Sequence, residues 1–211
     1  MCGFVGYVND TPDKSVNEKI IKDMADRIRH RGPDQDDYYV DSSVSLGFRR
    51  LSIIDLDGGS QPILNEDGTK VLVFNGEIYN YQPIREELIK KGHVFRTKTD
   101  SEVLLHGYEE YGCELLNKLR GMFAFVIWDS TEKKLFGARD IFGIKQFFYY
   151  LKNGNFLFGS EIKSFLSNPL FEKELNEERL PDYLCFEYIP TTETMFKNVY
   201  KMEPGSYFTF S

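Results

Sequence analysis

Cys2 has the clearest potential for chemistry in this sequence, because it directly follows Met1. The small side chain at position 2 favours removal of Met1, and Cys2 would then carry a thiol and a free α-amine on one carbon. An α-amine with a pKa near ~8 is partly unprotonated at neutral pH and can accept the proton of a thiol whose pKa is near ~8.5. Taken alone, Cys2 is more simply interpreted as a small apolar residue that begins a strand. The rest of the sequence must therefore support a nucleophile.

Three other polar features each allow an ordinary and a chemical interpretation. Arg50 lies among apolar strand residues, and its spacing favours an exposed charge over a clamp for a carboxylate. Asn75 and Gly76 follow an apolar strand and predict a tight turn first; an oxyanion hole made of the amide side chain and a backbone N–H is the alternative. Asp100 precedes a predicted helix, so we expect it to cap that helix or to meet the ammonium group of a ligand.

The segments that must position these residues begin with a helix over 15–29. A capping box, Ser-Val-Asn-Glu (15–18), precedes apolar residues at helical spacing. The sequence His-Arg-Gly-Pro-Asp (30–34) ends this helix, since glycine can adopt a left-handed cap and proline cannot continue a helix. Helix termination explains Gly32 and Pro33 but says little about Asp34.

Further along the chain, apolar runs near 4–8, 71–74 and 122–128 predict strands that are buried on both faces. Asn80 is expected to cap a helix that ends at Gly92, and Thr-Asp-Ser-Glu (99–102) opens another helix. Strands that cluster in hairpin-like pairs between helices predict an α+β fold of two stacked sheets covered by helices.

Composition excludes several classes of function. The 211 residues are 41% hydrophobic and 28% charged, which is enough for one sizeable domain core. A formal net charge of −7 without a basic cluster argues against nucleic acid or an anionic membrane as partner. We expect a cytoplasmic protein, because neither a signal peptide nor a membrane span is recognisable. Three separated cysteines and three scattered histidines indicate neither a disulfide framework nor a metal site.

Eight segments together give the sequence a family resemblance. They are Met-Cys-Gly-Phe-Val-Gly (1–6), His-Arg-Gly-Pro-Asp (30–34), Arg-Leu-Ser-Ile-Ile-Asp (50–55), Gln-Pro (61–62), Phe-Asn-Gly-Glu-Ile-Tyr-Asn (74–80), Thr-Asp-Ser-Glu (99–102), Gly-Met-Phe-Ala-Phe (121–125) and Ala-Arg-Asp-Ile-Phe-Gly-Ile-Lys (138–145). In this order they resemble the N-terminal glutaminase domain of glutamine-hydrolysing asparagine synthetases. These are class II glutamine amidotransferases with the N-terminal-nucleophile hydrolase fold. The resemblance implies a four-layer α/β/β/α sandwich of two antiparallel sheets.

The resemblance also implies a catalytic apparatus. Cys2 would attack the side-chain carboxamide of glutamine, with its own α-amine as general base and then as acid to the departing ammonia. The side-chain amide of Asn75 and the backbone N–H of Gly76 would hold the oxyanion. A thioester would form, and water would then release glutamate. This half-reaction requires no metal and no cofactor.

Substrate recognition follows from the same resemblance. Arg50 would bind the α-carboxylate, for which the planar guanidinium is well suited. Glu77 and Asp100 would bind the α-ammonium, and backbone near Ile53 would complete the pocket.

The resemblance assigns 1–190 to the glutaminase domain and 191–211 to the start of a connection to a synthetase domain absent from this chain. ATP and Mg²⁺ are expected only for that domain, and a homodimer is possible. Phe48 stands where many family members have histidine, and Gln146 and Phe147 stand where Pro-Leu is commoner. Two alternatives stay open. One is a non-catalytic regulatory or interaction domain that retains the fold; the other is the glutaminase of an amidotransferase with a different acceptor.

Overall fold

Two antiparallel sheets are stacked face to face in the computed structural model, which describes residues 2–51 and 60–211. The first sheet has the strand order β10-β8-β9-β1-β3-β2 and the second has the order β11-β7-β6-β5-β4. The strands are β1 Gly3–Val8, β2 Gln35–Val40, β3 Val44–Arg50, β4 Ile63–Leu64, β5 Lys70–Ile78, β6 Gly121–Asp129, β7 Lys134–Arg139, β8 Phe148–Lys152, β9 Asn155–Gly159, β10 Val199–Lys201 and β11 Tyr207–Phe210.

The helices lie between and after these strands. They are α1 Lys14–Asp26, α2 Tyr81–Lys90, α3 Ser101–Tyr111, α4 Leu115–Lys118 and α5 Leu180–Phe186. Short 3-10 helices occupy Arg29–Arg31, Gly112–Glu114, Ile162–Ser167 and Glu177–Arg179. None of the helices in the described part of the chain could cross a bilayer.

The main core lies between the two sheets. Because side chains alternate across a strand, every second residue faces the opposite sheet. Phe4 of β1 and Phe48 of β3 face Val71 and Val73 of β5, and Trp128 of β6 joins the same buried cluster. This inner layer is rich in aromatic side chains, and Phe147 and Phe158 pack almost in parallel within it at a centroid distance of 6.1 Å.

Helices cover the outer faces. The apolar side of α1, which includes Ile21 and Met24, packs on Val5 and Tyr7 of the first sheet. Leu104 and Leu105 of α3 pack on the outer face of the second sheet. The predicted α+β fold of two stacked antiparallel sheets covered by helices is confirmed.

Two helix starts differ from the sequence prediction. The side chain of Asp13 caps α1 by accepting hydrogen bonds from the N–H groups of Ser15 and Val16, so the helix starts at Lys14, ahead of the predicted capping box. The side chain of Asn80 does not cap α2. Instead its amide donates to the carbonyl of Lys118 and its oxygen accepts from the N–H of Arg120. The Asn80 side chain therefore forms hydrogen bonds with backbone groups of a distant loop instead of capping the helix.

The packed unit continues beyond residue 190, where the sequence was expected to leave the domain. Strand β10 pairs with β8 in the first sheet, and β11 pairs with β7 in the second. Phe208 and Phe210 of β11 pack against the core between the sheets. The last strands therefore complete both sheets, because each covers an edge that would otherwise be exposed.

Asp140 organises the loop between β7 and β8. This fully buried carboxylate accepts hydrogen bonds from four backbone N–H groups, those of Phe123, Phe142, Ile144 and Lys145, at 2.9–3.2 Å. Hydrogen bonds to a charged acceptor are stronger than neutral ones, and buried donors that lose their acceptor are costly. The carboxylate thus fixes the path of the chain from the second sheet back to the first.

We predict that Asp140→Ala lowers the free energy of unfolding by about 3 kcal/mol or more, because four backbone N–H groups, two of them in buried hydrogen bonds, lose their acceptor. Urea denaturation measures the loss. Asp13→Ala is the matched control, since Asp13 also accepts backbone N–H groups but is exposed, so its loss should be clearly smaller. Equal losses in the two variants would contradict this role for Asp140.

Candidate active site

The inward faces of three strands end in polar residues at the same end of the core. Cys2 lies two residues before Phe4, and Arg50 lies two residues after Phe48. Gly3 pairs with Arg49 in the antiparallel register, which brings Cys2 and Arg50 to the same end of the first sheet. Asn75 lies two residues after Val73 on the facing strand β5. The two-residue side-chain period therefore turns this end of the core into a polar site.

A cavity of about 300 Å³ lies at this end. Six of the seven predicted site residues line it: Cys2, Arg50, Asn75, Gly76, Glu77 and Asp100. Ile53, the seventh, lies outside the described residues. The cavity is large enough for a free amino acid, and it offers a thiol, a guanidinium, carboxylates and an amide to one ligand.

Cys2 is held through its main chain. Its carbonyl oxygen accepts a hydrogen bond from Arg31 Nε at 3.0 Å, and Arg31 in turn forms an ion pair with Glu161 at 3.0 Å. The half-buried thiol lies 3.6 Å from the carbonyl oxygen of Leu51, and the Leu51 N–H lies 3.4 Å from the sulfur. Cys2 is therefore held between β1 and Leu51, the residue that follows β3.

The 30–34 segment does more than end a helix. Arg31 binds Cys2, while the N–H of Asp34 donates to the carbonyl of Arg50 at 3.2 Å. A Cβ at Gly32 would lie 2.3 Å from the carbonyl carbon of Arg49, so only glycine fits against β3 here. The segment thus joins the strand that carries the nucleophile to the strand that carries Arg50. The sequence signal was the aspartate, which helix termination did not explain.

One edge of β5 lines the cavity where the oxyanion site is predicted. Phe123, opposite Gly76 on β6, uses its N–H and carbonyl toward Asp140, so alternate residues of β5 direct their N–H groups away from β6. The Phe74 N–H binds Gln61 Oε1 at 2.6 Å, and the Ile78 N–H binds Asp100 Oδ2 at 2.7 Å. The Gly76 N–H points to the same edge, between these two satisfied groups, where Gly76 lines the cavity.

The side-chain amide of Asn75 is a hydrogen-bond donor without a partner in the described structure. Its side chain is 2% exposed, and Nδ2 has no hydrogen-bond partner among the described residues. A buried amide without a partner is costly and marks a place where a ligand acceptor would be bound. The predicted tight turn at this position is wrong, because Asn75 and Gly76 both lie inside β5.

Gly76 must be glycine for steric reasons. A Cβ there would lie 2.3 Å from the carbonyl oxygen of Met122 and 2.8 Å from Cα of Phe123. Both atoms belong to the backbone of β6, which cannot move without breaking its pairing with β5. The close approach of the two strands, rather than a turn, accounts for the Asn-Gly pair.

Asp100 does not cap α3 with its side chain. Its carboxylate instead binds the N–H of Ile78, the last residue of β5. Burial raises the pKa of Asp100, and the nearby charge of Glu77 raises it further, although the hydrogen bond from Ile78 works in the opposite direction. Glu77 itself is exposed at the rim of the cavity.

Arg50 is buried, contrary to the exposed charge that its spacing favoured. Only 7% of the residue is exposed, and Nη1 lies 3.3 Å from Gln35 Oε1. Gln35 belongs to the neighbouring strand β2 and pairs directly with Arg50 in the register. Arg50 also lines the cavity, so its position is compatible with the predicted carboxylate clamp.

Sequence reasoning missed several residues that line the cavity. The side chain of Gln61 forms hydrogen bonds with both the N–H and the carbonyl of Phe74, as the backbone of a paired strand would. Lys145 is 7% exposed and lines the cavity from the loop that Asp140 fixes. Thr99 and Ser101 share a hydrogen bond at 2.9 Å beside Asp100. Gln61 and Lys145 fall within motifs of the family resemblance, which was the available signal.

Comparisons with known proteins match this geometry. The family model described as "Glutamine amidotransferase domain" matches residues 1–211. The chain belongs to this family. The curated relatives include asparagine synthetase [glutamine-hydrolyzing] 1 of Bacillus subtilis, which is 48% identical over 99% of the chain, and asparagine synthetase [glutamine-hydrolyzing] 2 of the same organism, which is 42% identical over 98%. The chain spans 33% and 28% of their lengths, and the predicted family resemblance is confirmed.

A solved structure supports the fold. The glutamine phosphoribosylpyrophosphate amidotransferase of B. subtilis, complexed with ADP and GMP, aligns with a TM-score of 0.64 over 82% of this chain and 45% of that chain. The two sequences are 18% identical, so this likeness concerns the fold alone.

For this amidotransferase domain we predict that Asn75→Ala lowers kcat for glutamine hydrolysis by about 100-fold, because one oxyanion donor is lost. The free energy of unfolding should not fall by more than about 1 kcal/mol, since Nδ2 has no partner to lose among the described residues. Steady-state glutamate release and urea denaturation measure the two effects.

Asn17→Ala is the matched control. Asn17 is also buried, but its amide donates to Thr11 and its oxygen accepts from Tyr7. That variant should lose about 1–3 kcal/mol of stability and keep kcat. An Asn75→Ala protein that behaves like Asn17→Ala would exclude Asn75 from the oxyanion site.

Proposed function

We propose that this domain hydrolyses L-glutamine to L-glutamate and ammonia through a thioester on Cys2. The observation that carries the proposal is the buried amide of Asn75, which has no hydrogen-bond partner among the described residues and lies in a cavity that Cys2 also lines. A thiol nucleophile and an unused buried donor beside it are the two parts that acyl transfer requires. Arg50 and Asp100 supply opposite charges for the two ends of a free amino acid.

The reaction begins with a proton transfer within one residue. After removal of Met1, the α-amine of Cys2 takes the thiol proton, and the sulfur adds to the side-chain carboxamide carbon. The Asn75 amide and the Gly76 N–H stabilise the resulting oxyanion. The α-ammonium then gives its proton to the departing ammonia, and the carbon–nitrogen bond breaks to leave a thioester.

Hydrolysis of the thioester repeats these steps with water. The α-amine accepts a proton from a water molecule while the water oxygen adds to the thioester carbon. The Asn75 amide and the Gly76 N–H stabilise this second oxyanion. Collapse expels the Cys2 thiolate, which recovers its proton, and glutamate leaves. Every catalytic group in these reaction steps belongs to the protein chain, so we propose that the half-reaction needs neither metal nor cofactor.

Selectivity for a free amino acid comes from paired charges. Arg50 binds the α-carboxylate with two parallel N–H donors, while Asp100 and Glu77 bind the α-ammonium. Backbone near Ile53 is proposed to complete the pocket. A peptide-bound glutamine lacks both terminal charges and would leave the buried Arg50 and Asp100 without their ligands.

The partner of the proposed reaction is a synthetase domain. The relatives carry the name asparagine synthetase and are about three times as long as the chain they match. We propose that ammonia released here amidates an acceptor, aspartate by analogy with those names, in an ATP- and Mg²⁺-dependent domain of the same protein. A homodimer and a cytoplasmic location stay predictions.

We predict that purified protein lacking Met1 releases glutamate from glutamine and that Cys2→Ala abolishes release while retaining glutamine binding, because only the nucleophile is lost. Intact mass spectrometry establishes the N-terminus, an enzymatic glutamate assay gives the rate, and calorimetry gives the affinity. Protein that retains Met1 should be inactive, since the nitrogen of Cys2 is then an amide.

Two outcomes would decide against the proposal. A correctly processed protein that binds glutamine without releasing glutamate would favour the non-catalytic interaction domain. Full activity of Cys2→Ala would remove Cys2 from the mechanism. If the longer protein amidates an acceptor other than aspartate, the proposed glutaminase reaction would still hold, but the protein would be a different amidotransferase.

The pKa of Asp100 gives a pH dependence. Because burial raises this pKa, Asp100 becomes protonated at a higher pH than an ordinary aspartate near ~3.9, and the neutral form no longer attracts an ammonium. We predict that KM for glutamine rises as the pH falls through this raised value. Glu77→Gln should shift the rise to lower pH, because the charge of Glu77 helps to raise the pKa of Asp100. An unshifted profile in Glu77→Gln would contradict this assignment.

A further inference from the structure

A second cluster of chemically active side chains lies on the outer side of the second sheet, where α3 packs. Glu66 comes from the connection between β4 and β5, His93 from the loop after α2, and His106 from α3. Their nitrogen and carboxylate oxygen atoms lie within 4.8 Å of one another, the one such group of three found among residues 2–51 and 60–211. We call these three residues the His/Glu cluster.

The spacing of the atoms fits a metal ion. His106 Nδ1 lies 3.5 Å from Glu66 Oε2. Metal bonds of about 2.1 Å in a tetrahedral site place neighbouring ligand atoms about 3.4 Å apart. Glu109 Oε2 lies 2.9 Å from the same His106 nitrogen and 3.7 Å from His93 Nδ1, so it stands beside the cluster as a possible fourth ligand.

The surroundings hold these side chains in place. Glu66 Oε1 accepts a hydrogen bond from the N–H of Val94, which leaves Oε2 directed at His106. Glu109 Oε1 accepts from the amide of the buried Asn65 at 2.7 Å. Rotamers fixed by neighbouring hydrogen bonds are what a preorganised metal site requires.

His106 gives a second, independent indication. It is 1% exposed, and its other nitrogen, Nε2, has no hydrogen-bond partner among the described residues. Glu102 Oε1 lies 3.6 Å from that nitrogen. A histidine that binds a metal through one nitrogen usually donates its other N–H to a carboxylate, and Glu102 is in position to accept it after a small shift.

The charge around the cluster attracts cations. Four carboxylates, those of Glu66, Glu102, Glu109 and Glu110, lie within 4.0 Å of the two imidazoles. Cations also lie nearby: Lys91 pairs with Glu110 at 2.7 Å, and Arg96 Nη2 donates to the carbonyl oxygen of Glu66 at 3.2 Å. The negative potential of these carboxylates favours a divalent cation.

We propose that Glu66, His93 and His106 bind a divalent transition-metal ion of the Zn²⁺ type. Two imidazoles and a carboxylate suit Zn²⁺ better than Mg²⁺ or Ca²⁺, which prefer oxygen ligands alone. The ion joins three segments: the turn before β5, the loop after α2, and α3. That loop continues into Lys98, Thr99 and Asp100 at the glutamine cavity, so the ion fixes the base of the segment that carries Asp100.

Sequence spacing gave no hint of this site. His93 and His106 lie on different elements, outside any of the short ligand motifs of structural zinc sites. The fold brings them together because α3 packs against the second sheet with its polar side toward the preceding loop.

Titration of the full chain with ZnCl₂ by calorimetry tests the proposal. The thiols are alkylated first, since Cys2, Cys113 and Cys185 would compete for Zn²⁺. We expect one ion per chain and at least about a tenfold weaker affinity in His93→Gln and in Glu66→Gln. Both side chains are partly exposed, so these variants should fold. Co²⁺ should give the visible absorption typical of a tetrahedral site in the parent protein and lose it in both variants.

His30→Gln is the matched control, because His30 is the third histidine and pairs with Glu161 away from the cluster. It should keep the Zn²⁺ affinity of the parent protein. At about 100 times the dissociation constant, Zn²⁺ should raise the melting temperature of the parent and of His30→Gln by about 5 °C or more. The absence of saturable binding would overturn the proposal. Equal affinity in the parent, His93→Gln and Glu66→Gln would also overturn it, because the binding would then be adventitious.

Discussion

The stacking of two antiparallel sheets is the constraint on which the cavity depends. Inner faces of stacked sheets are about 10 Å apart and must be filled by side chains of alternate residues. Phe4, Phe48 and Val73 fill this space in the body of the fold. One step of two residues farther along the same strands come Cys2, Arg50 and Asn75, so the register that builds the core also aligns the polar groups. A shift of one residue in any of these strands would send its functional side chain to the other face.

At the edge of β5, side chains bind the backbone N–H groups on either side of Gly76 and leave the Gly76 N–H available. Strand β4 pairs with only two residues of β5, and no other strand of the described part of the chain pairs with this edge. Gln61 and Asp100 supply side-chain partners to Phe74 and Ile78 on either side of Gly76. Unpaired strand edges elsewhere invite association with another chain. Here two side chains cover the edge and restrict access to the one N–H that the proposed reaction uses.

Local sequence patterns predicted the layers of the fold better than the roles of single polar residues. Apolar periodicity was sufficient for α1 and for the buried strands, because burial of the same face repeats at every turn or every second residue. Arg50 and Asp100 were harder, since each contacts residues distant in the sequence and its ordinary interpretation was local. Asn75 and Gly76 were predicted as a turn because their close approach to β6 is a tertiary property. The family resemblance predicted these residues as parts of one site, and the structure brings them to one cavity, because a resemblance retains tertiary information that spacing lacks. The end of the domain was missed for the same reason, as β10 and β11 pair with strands far earlier in the chain.

The Asn75 amide, which has no partner among the described residues, lowers the stability of the protein but would serve the proposed reaction. A buried amide without an acceptor lowers stability by about 1–3 kcal/mol, and a buried carboxylate at Asp100 adds a desolvation cost. The aromatic core between the sheets offsets these costs. A donor already bonded in the free enzyme would have to break that bond before it met an oxyanion, so much of its interaction would be lost. Nδ2 of Asn75 has no such bond within the described residues, so in the proposed reaction its hydrogen bond to a developing oxyanion would be gained as charge forms. Under that proposal, one unpaired amide both lowers the stability of the free protein and stabilises the transition state.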